Sequence, residues 1–164
     1  MLLAITGTPC TGKTTVARLL AKRLGWKLVD LNSLARDKKL YAGYDQAREC
    51  WIADMAKISK AIGKMRDKDL IIESHFAHDL PADAVIVLRC SPKLLLARMR
   101  KRGWKEGKIA ENLEAEIMEI CLGEAKARHT KVLEIDATGK NPRMVMEEVL
   151  QGLKLAGAGK LHLR

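Results

Sequence analysis

The sequence predicts an α/β fold in which helices flank one five-stranded, mainly parallel sheet. Short aliphatic segments alternate along the chain with longer segments of helical periodicity, which is the pattern of such folds. The length of 164 residues suits one domain, and 48% hydrophobic residues supply its core. We therefore expect residues 1–164 to form a single domain.

The predicted strands are short and aliphatic, which is typical of strands buried on both faces of a parallel sheet. Their alternation with helices favours parallel pairing. They cover residues 2–6, 27–30, 70–73, 84–88 and 132–135.

The first predicted helix begins at Lys13, presents an apolar face and ends before Gly25, a residue that favours helix termination. The last begins after Asn141, where a capping residue is followed by proline. From residue 155 onward the chain carries two glycines between basic ends, and we expect it to fray as a basic tail. Three further helices are predicted over residues 45–66, 92–101 and 110–128.

Composition limits the classes of partner. The excess of 30 Lys and Arg over 20 Asp and Glu gives a net charge of +10, which attracts polyanions such as nucleotides or RNA. Aromatic residues make up only 4%, which argues against the stacking surfaces of many single-strand RNA binders.

Sequence features also bear on location and metals. No apolar run approaches the roughly 18 residues of a membrane helix, and the first residues lack signal-peptide features, so we expect a cytoplasmic protein with no membrane partner. The four cysteines are far apart and show no zinc-ligand spacing. We therefore expect reduced thiols and no structural metal.

A glycine-rich loop between the first strand and the first helix carries the strongest chemical signal. Residues 7–14, which we call the phosphate loop, read GTPCTGKT and match the P-loop pattern. In this pattern backbone N–H groups cradle phosphates, Lys13 reaches the β- and γ-phosphates, and the Thr14 hydroxyl binds Mg²⁺. The predicted ATP-binding residues of this segment are Cys10, Gly12, Lys13, Thr14 and Thr15.

The phosphate loop does not by itself name the reaction. A GTPase would need an Asn-Lys-x-Asp base-reading motif, which is absent from the sequence, and the only Asp-x-x-Gly pattern, at Asp136, lies near the C-terminus. The chain is also short for a remodelling ATPase. Small phosphotransferases, which insert an acceptor-binding lobe between strands, remain.

Several further segments make the chain resemble the atypical (type six) adenylate kinases. These small proteins are broad-specificity nucleoside monophosphate kinases and ATPases of small ribosomal subunit biogenesis. The resemblance implies the nucleoside monophosphate kinase type of P-loop fold, strand order 2-3-1-4-5, an acceptor lobe over about residues 30–53 and a lid over about residues 101–111. The matching segments are residues 7–15, 30–36, 40–45, 73–75, 87–89 and 98–108.

On the acceptor and lid side, the resemblance implies that Arg36 binds the monophosphate, for which a bidentate guanidinium is well suited. Tyr41 and Tyr44 would shape the pocket for the monophosphate. Arg102, in a strongly basic segment, would stabilise the negative charge that develops during phosphoryl transfer. Lys140, after the fifth strand, would contact the ATP base.

At the carboxyl end of the third predicted strand, the resemblance implies that Glu73 holds Mg²⁺ through water and that His75 positions water or phosphate. His78 is expected to be a polar loop residue without a role. The glutamates over residues 111–124 are expected to pair at the surface with neighbouring basic residues.

Cys10 stands where the family generally has glycine. Because a β-carbon makes positive φ costly, we expect Cys10 to adopt a negative φ. The family usually has Asp rather than the longer Glu at position 73.

The predicted reaction is transfer of the γ-phosphate of MgATP to AMP or another nucleoside monophosphate, with slow ATP hydrolysis when water replaces the acceptor. Two alternatives remain open. One is an assembly ATPase that acts on a small-subunit ribosomal protein of the S-eleven family or on rRNA, with incidental kinase activity. The other is a basic RNA-binding protein.

Overall fold

The computed structural model describes residues 1–65 and 69–157. Its strands are β1 (Leu2–Thr6), β2 (Lys27–Asp30), β3 (Tyr41–Asp45), β4 (Cys50–Ala53), β5 (Leu70–Glu73), β6 (Ala84–Arg89) and β7 (Val132–Asp136). Its helices are α1 (Lys13–Leu24), α2 (Leu31–Asp37), α3 (Met55–Gly63), α4 (Pro92–Lys101), α5 (Glu106–Ile117), α6 (Ile120–Arg128) and α7 (Pro142–Leu155), with a 3₁₀ turn at Ala77–Asp79.

Five strands form one parallel sheet in the order β2-β5-β1-β6-β7. These are the five strands predicted from aliphatic segments, and their order confirms 2-3-1-4-5. The parallel arrangement brings the carboxyl ends of β1, β5 and β6 to one edge of the sheet, where α/β folds place ligands.

The core lies on both faces of this sheet. On one face, side chains such as Leu3 and Ile86 pack against α1 and α7. On the other, Ala4 and Val85 pack against α2, α3 and α6. Burial on both faces explains why the strands are aliphatic throughout rather than alternating with polar residues.

The prediction of one helix over residues 45–66 is wrong in its first part. Residues 41–53 form an antiparallel hairpin of β3 and β4, which we call the acceptor hairpin. Helix α3 begins only after Asp54, whose carboxylate accepts a hydrogen bond from the Lys57 N–H and caps the helix. Stacking of Trp51 on Tyr41 holds the hairpin instead. The last residue of the predicted helix, residue 66, lies outside the described residues.

The single helix predicted over residues 110–128 is also wrong, because α5 ends at Ile117 and α6 begins at Ile120. Glu119 adopts a φ of 55° at the break. The interruption lets α5 pack on α4 while α6 packs on the 3₁₀ turn beside β1. The two helices of this segment thus pack against different parts of the molecule.

The predicted basic tail lies mostly outside the described residues, since α7 continues to Leu155 and the description ends at residue 157. Within the described residues, no helix combines the length and apolar character needed to cross a lipid bilayer.

Candidate active site

The phosphate loop joins β1 to α1 and depends on two glycines. Gly7 has a φ of 132°, and a β-carbon there would lie 2.2 Å from the Leu88 carbonyl oxygen, so no other residue fits. Gly12 has a φ of 103° and precedes the first turn of α1. The N-terminus of α1 thus follows the loop directly, and the N–H groups at a helix N-terminus can bind an anion.

The prediction of a negative φ at Cys10 is wrong, because its φ is 72°. A left-handed conformation costs a residue with a β-carbon about 1–2 kcal/mol. Two contacts offset that cost. Arg98 donates a hydrogen bond to the Cys10 carbonyl oxygen at 2.9 Å, and the Cys10 side chain packs against an apolar cluster that includes Leu95 and Met99.

Lys13 lies inside the phosphate loop. Its ammonium donates hydrogen bonds to the carbonyl oxygens of Gly7 at 2.7 Å and Thr8 at 2.9 Å, and the side chain is only 8% exposed. Burial lowers the pKa of Lys13 to about 8, although the nearby carboxylates of Glu73 and Glu116 act in the opposite direction. An anion in the loop would add a charged partner to these two carbonyl contacts.

Thr14 and Glu73 form a pair of oxygen donors beside Lys13. The Thr14 hydroxyl donates to the Glu73 carboxylate at 2.8 Å. Burial raises the pKa of Glu73, and the charge of Asp30 on the neighbouring strand adds to this rise. Mg²⁺ prefers hard oxygen ligands and retains several waters, so this donor set fits it. Thr14 would hold the ion directly and Glu73 through water.

A cavity of about 330 Å³ lies next to the carboxyl end of β5, where His75 and Phe76 follow the strand, and we call it the acceptor cavity. Tyr41 and Trp51 stack along one side, with ring centroids 5.0 Å apart. Trp51 is 60% exposed, so a large aromatic surface remains open to a ligand. The cavity is lined by Asn32, Ala35, Arg36, Tyr41, Trp51, Ala53, His75 and Phe76.

The structure thus brings together the predicted residues Arg36, Tyr41 and His75 in the lining of one cavity. Arg36 is exposed and donates to the Ser33 hydroxyl at 3.2 Å. Tyr44 lies outside the cavity lining, where it contacts Trp51 edge-on at 5.2 Å. Tyr44 therefore supports the stacked rings of Tyr41 and Trp51 from outside the cavity.

The two histidines of this region differ. His75 is exposed at the acceptor cavity, and desolvation by surrounding protein followed by the charge of Lys13 lowers its pKa to about 4, so it is neutral at neutral pH. His78, expected to be a polar loop residue, is instead 2% exposed. Its ring bonds the Thr6 hydroxyl at 2.7 Å and Glu124 at 2.9 Å, so it connects β1 to α6.

Arg102 ends α4 and begins the turn over residues 102–105, which we call the lid turn. Its side chain is exposed and makes no hydrogen bond or ion pair with any described residue. The lid turn contacts the acceptor hairpin, because Lys105 pairs with Glu49 at 2.7 Å. Arg102 therefore lies free in a segment that reaches the acceptor side.

The remaining predicted contacts are less central. Thr15 is exposed on α1. The Lys140 ammonium pairs with Glu148 of α7 at 2.8 Å, which directs this side chain toward α7.

The most important residue that the sequence analysis missed is Glu116. It was grouped with surface glutamates, yet it is 3% exposed and contacts the phosphate loop through Thr8. A signal was available, since Ile109, Leu113 and Glu116 follow helical spacing and share the inward face of α5. Arg98 begins the matching segment 98–108, and the sequence analysis did not predict its bond to Cys10.

The lowered pKa of Lys13 predicts that ATP binding depends on pH. Below pH 8 the free lysine is charged, whereas above it the lysine must take up a proton to pair with phosphate. We expect the ATP dissociation constant to rise toward about tenfold per pH unit above pH 8, with proton uptake. Calorimetry in buffers of different ionisation heat measures both, and constant affinity between pH 7 and 9.5 would contradict the prediction. Lys13→Arg, which stays charged, is the control.

Comparison with known proteins shows the family of the chain. The AAA domain family matches residues 3–119. A Methanocaldococcus jannaschii protein described as "Putative adenylate kinase" is 38% identical over 156 residues, covering 94% of this chain and 86% of that protein. A Pyrococcus furiosus protein of the same description is 41% identical over 150 residues, covering 92% of this chain and 82% of that protein.

Solved structures share the fold. Shikimate kinase from Aquifex aeolicus has a TM-score of 0.61 at 14% identity, over 97% of this chain and 99% of that chain. A gluconokinase from Sinorhizobium meliloti has a TM-score of 0.61 at 16% identity, over 95% and 93%. These likenesses confirm the predicted P-loop kinase fold. By its domain match the chain belongs to the AAA domain family, and by its relatives it belongs to a family of adenylate-kinase-like proteins.

Proposed function

We propose that the protein is a nucleoside monophosphate kinase that transfers the γ-phosphate of MgATP to AMP or another monophosphate. The observation that carries the proposal is that the end of β5 contacts the phosphate loop through Glu73 and leads directly into the lining of the acceptor cavity. Glu73, which contacts Thr14 of the loop, and His75, which lines the cavity, are separated by one residue. The description of the relatives as adenylate kinases supports AMP as the first acceptor to test.

On the donor side, the loop N–H groups and Lys13 bind the β- and γ-phosphates. Mg²⁺, held by Thr14 and through water by Glu73, would neutralise charge on the phosphate oxygens when bound. Arg102 supplies a further cation when the lid turn closes over the phosphates. Phosphoryl transfer needs positioning and charge stabilisation more than covalent participation, and these residues provide both.

On the acceptor side, the nucleobase stacks on the open face of Trp51, which Tyr41 supports from behind. Arg36 binds the monophosphate at the rim of the cavity. Among the described residues of the cavity lining, Asn32 carries the only side-chain amide, so few groups read the edge of the base. This supports acceptance of several monophosphates rather than strict selection of one.

ATP hydrolysis follows from the same arrangement when water occupies the acceptor position. Neutral His75 can hold such a water through its free ring nitrogen. The resemblance to the atypical adenylate kinases supports a place for this activity in small ribosomal subunit biogenesis and rRNA processing, in the cytoplasm. The partner would be a ribosomal protein of the S-eleven family or rRNA, and the net charge of +10 suits the latter.

Replacement of Arg36 by alanine tests the acceptor site. We expect the KM for AMP to rise about 10- to 100-fold, because a charged hydrogen bond to phosphate is lost, while the KM for ATP stays within about twofold. A coupled assay of ADP formation measures both constants. Lys38→Ala, which removes an exposed cation at the end of the same helix, is the matched control and should change neither. An unchanged KM for AMP in Arg36→Ala would place the acceptor elsewhere.

A further inference from the structure

Glu116 is a buried carboxylate that the reaction described above does not use. It lies in the last turn of α5, the helix that follows the lid turn, and is 3% exposed. A carboxylate in such a position is costly unless its oxygens are fully paired. Its contacts therefore indicate what it holds in place.

Both oxygens of Glu116 are occupied. One accepts a hydrogen bond from the Thr8 hydroxyl of the phosphate loop. The other accepts from Arg89 Nε at 2.8 Å and from the Cys90 N–H at 3.1 Å. Three parts of the molecule meet at this carboxylate: the phosphate loop, the end of β6 and α5, the helix that follows the lid turn.

Thr8 in turn organises the loop. Its carbonyl oxygen accepts hydrogen bonds from Lys13 Nζ at 2.9 Å and from the Thr11 hydroxyl at 2.9 Å. The orientation of the Thr8 peptide thus fixes the position of the lysine that binds phosphate. Because Glu116 holds the Thr8 side chain, it acts on Lys13 through one intermediate residue.

A purely structural role would require only the pair with Arg89. That arginine also bonds Glu119 at 3.0 Å and Glu134 at 3.1 Å, so its charge is balanced without Glu116. The contact with Thr8 does not help to neutralise the charge of Arg89. It connects α5 to the phosphate loop.

We infer that Glu116 is a positioning residue for phosphoryl transfer, which sets the phosphate loop through Thr8 and links it to the helix behind the lid turn. The inference rests on the proposed function, because its test measures the rate of phosphoryl transfer. Misplacement of reacting groups by about 1 Å can cost 100-fold in rate, so a loss of this link should appear in kcat.

The sharpest test is Thr8→Val, which removes the hydroxyl donor but keeps the size of the side chain, with Thr8→Ser as the variant that restores the donor. We expect Thr8→Val to lower kcat about tenfold with little change in the KM for AMP, and Thr8→Ser to return kcat to within about twofold of wild type. Glu116→Ala should lower kcat similarly. The double variant Thr8→Val with Glu116→Ala should be no slower than Glu116→Ala, because both substitutions remove the same hydrogen bond between Thr8 and Glu116.

Glu119→Gln is the matched control. Glu119 also pairs with Arg89, but it is exposed and has no bond to the loop, so kcat should stay within about twofold of wild type. Thermal midpoints of all variants separate positioning from folding, and the Thr8 pair keeps the test decisive if Glu116→Ala fails to fold. The inference is overturned if Thr8→Val is as fast as wild type or if Thr8→Ser is as slow as Thr8→Val.

MgATP affinity provides a readout that does not need transfer. A wild-type protein that binds MgATP but transfers no phosphate to any monophosphate would overturn the proposed function alone. In that case Thr8→Val should still weaken MgATP binding about fivefold relative to Thr8→Ser, and equal affinities would overturn the role of Glu116.

Discussion

Replacing Lys13 with methionine should reduce phosphoryl transfer by about 10³-fold or more while making the free protein more stable. The loss of activity is expected because Lys13 is the cation inside the phosphate loop, where a buried charge acts on the phosphates through a low dielectric. Removing one preorganised donor of this kind typically costs about 10²–10³ in kcat, and here ATP binding is weakened as well.

The gain in stability follows from the sign of the pKa shift. The unfolded chain holds the Lys13 proton up to about pH 10.5 and the folded protein only to about pH 8. The charged lysine therefore opposes folding fully below pH 8, and less as the pH rises from 8 to 10.5. Methionine keeps the apolar volume without the charge, so we expect a gain of about 1–3 kcal/mol at neutral pH.

Thermal unfolding at pH 7 and ADP formation measure the two effects of this variant. Lys22→Met is the matched control, because Lys22 is an exposed lysine of the same helix. It should change neither transfer nor stability. If Lys13→Met is less stable than wild type at pH 7, the prediction is contradicted. That result would show that the two hydrogen bonds to carbonyl oxygens stabilise the fold by more than the burial of the charge destabilises it.

Replacing Arg102 with alanine should lower kcat by about 10²–10³-fold with little effect on the KM for ATP. Under the proposed function, Arg102 would contact the transferring phosphate when the lid turn closes, and its side chain has no partner among the described residues that would hold it elsewhere. An interaction formed only in the transition state appears in kcat rather than in substrate binding.

Arg102→Lys should recover only part of the rate, since a lysine cannot make the bidentate contact. The control is Lys101→Ala, which removes the neighbouring exposed cation and should leave kcat within about twofold. Steady-state kinetics over a range of ATP and AMP concentrations measures both constants. Equal losses in Lys101→Ala and Arg102→Ala would indicate general electrostatic attraction by the lid rather than a specific contact.

Much of the fold was predictable because it depends on local patterns. Aliphatic segments indicated all five strands of the parallel sheet, and the glycine spacing indicated the phosphate loop at the correct junction. The pair of Thr14 with Glu73 joins residues from two such predicted elements; the P-loop pattern indicated Thr14, and the resemblance indicated Glu73.

The errors lie where distant contacts override local pattern. Trp51, Met55, Ile58 and Ile62 have true helical spacing, but Trp51 stacks on Tyr41 in a hairpin and only the later residues are helical. The positive φ of Cys10 is supported by Arg98, which lies far along the chain. Neither contact could be inferred from neighbouring residues.

The most direct test of the central claim follows the γ-phosphate itself. The protein is incubated with ATP labelled at the γ-phosphate, Mg²⁺ and AMP, and the labelled products are separated. We predict that the label appears in ADP, that its transfer is lost in Lys13→Met and that it requires Mg²⁺. The same experiment is repeated with other nucleoside monophosphates. If the label appears only in inorganic phosphate or stays in ATP with every monophosphate, the assignment of this protein as a nucleoside monophosphate kinase is contradicted.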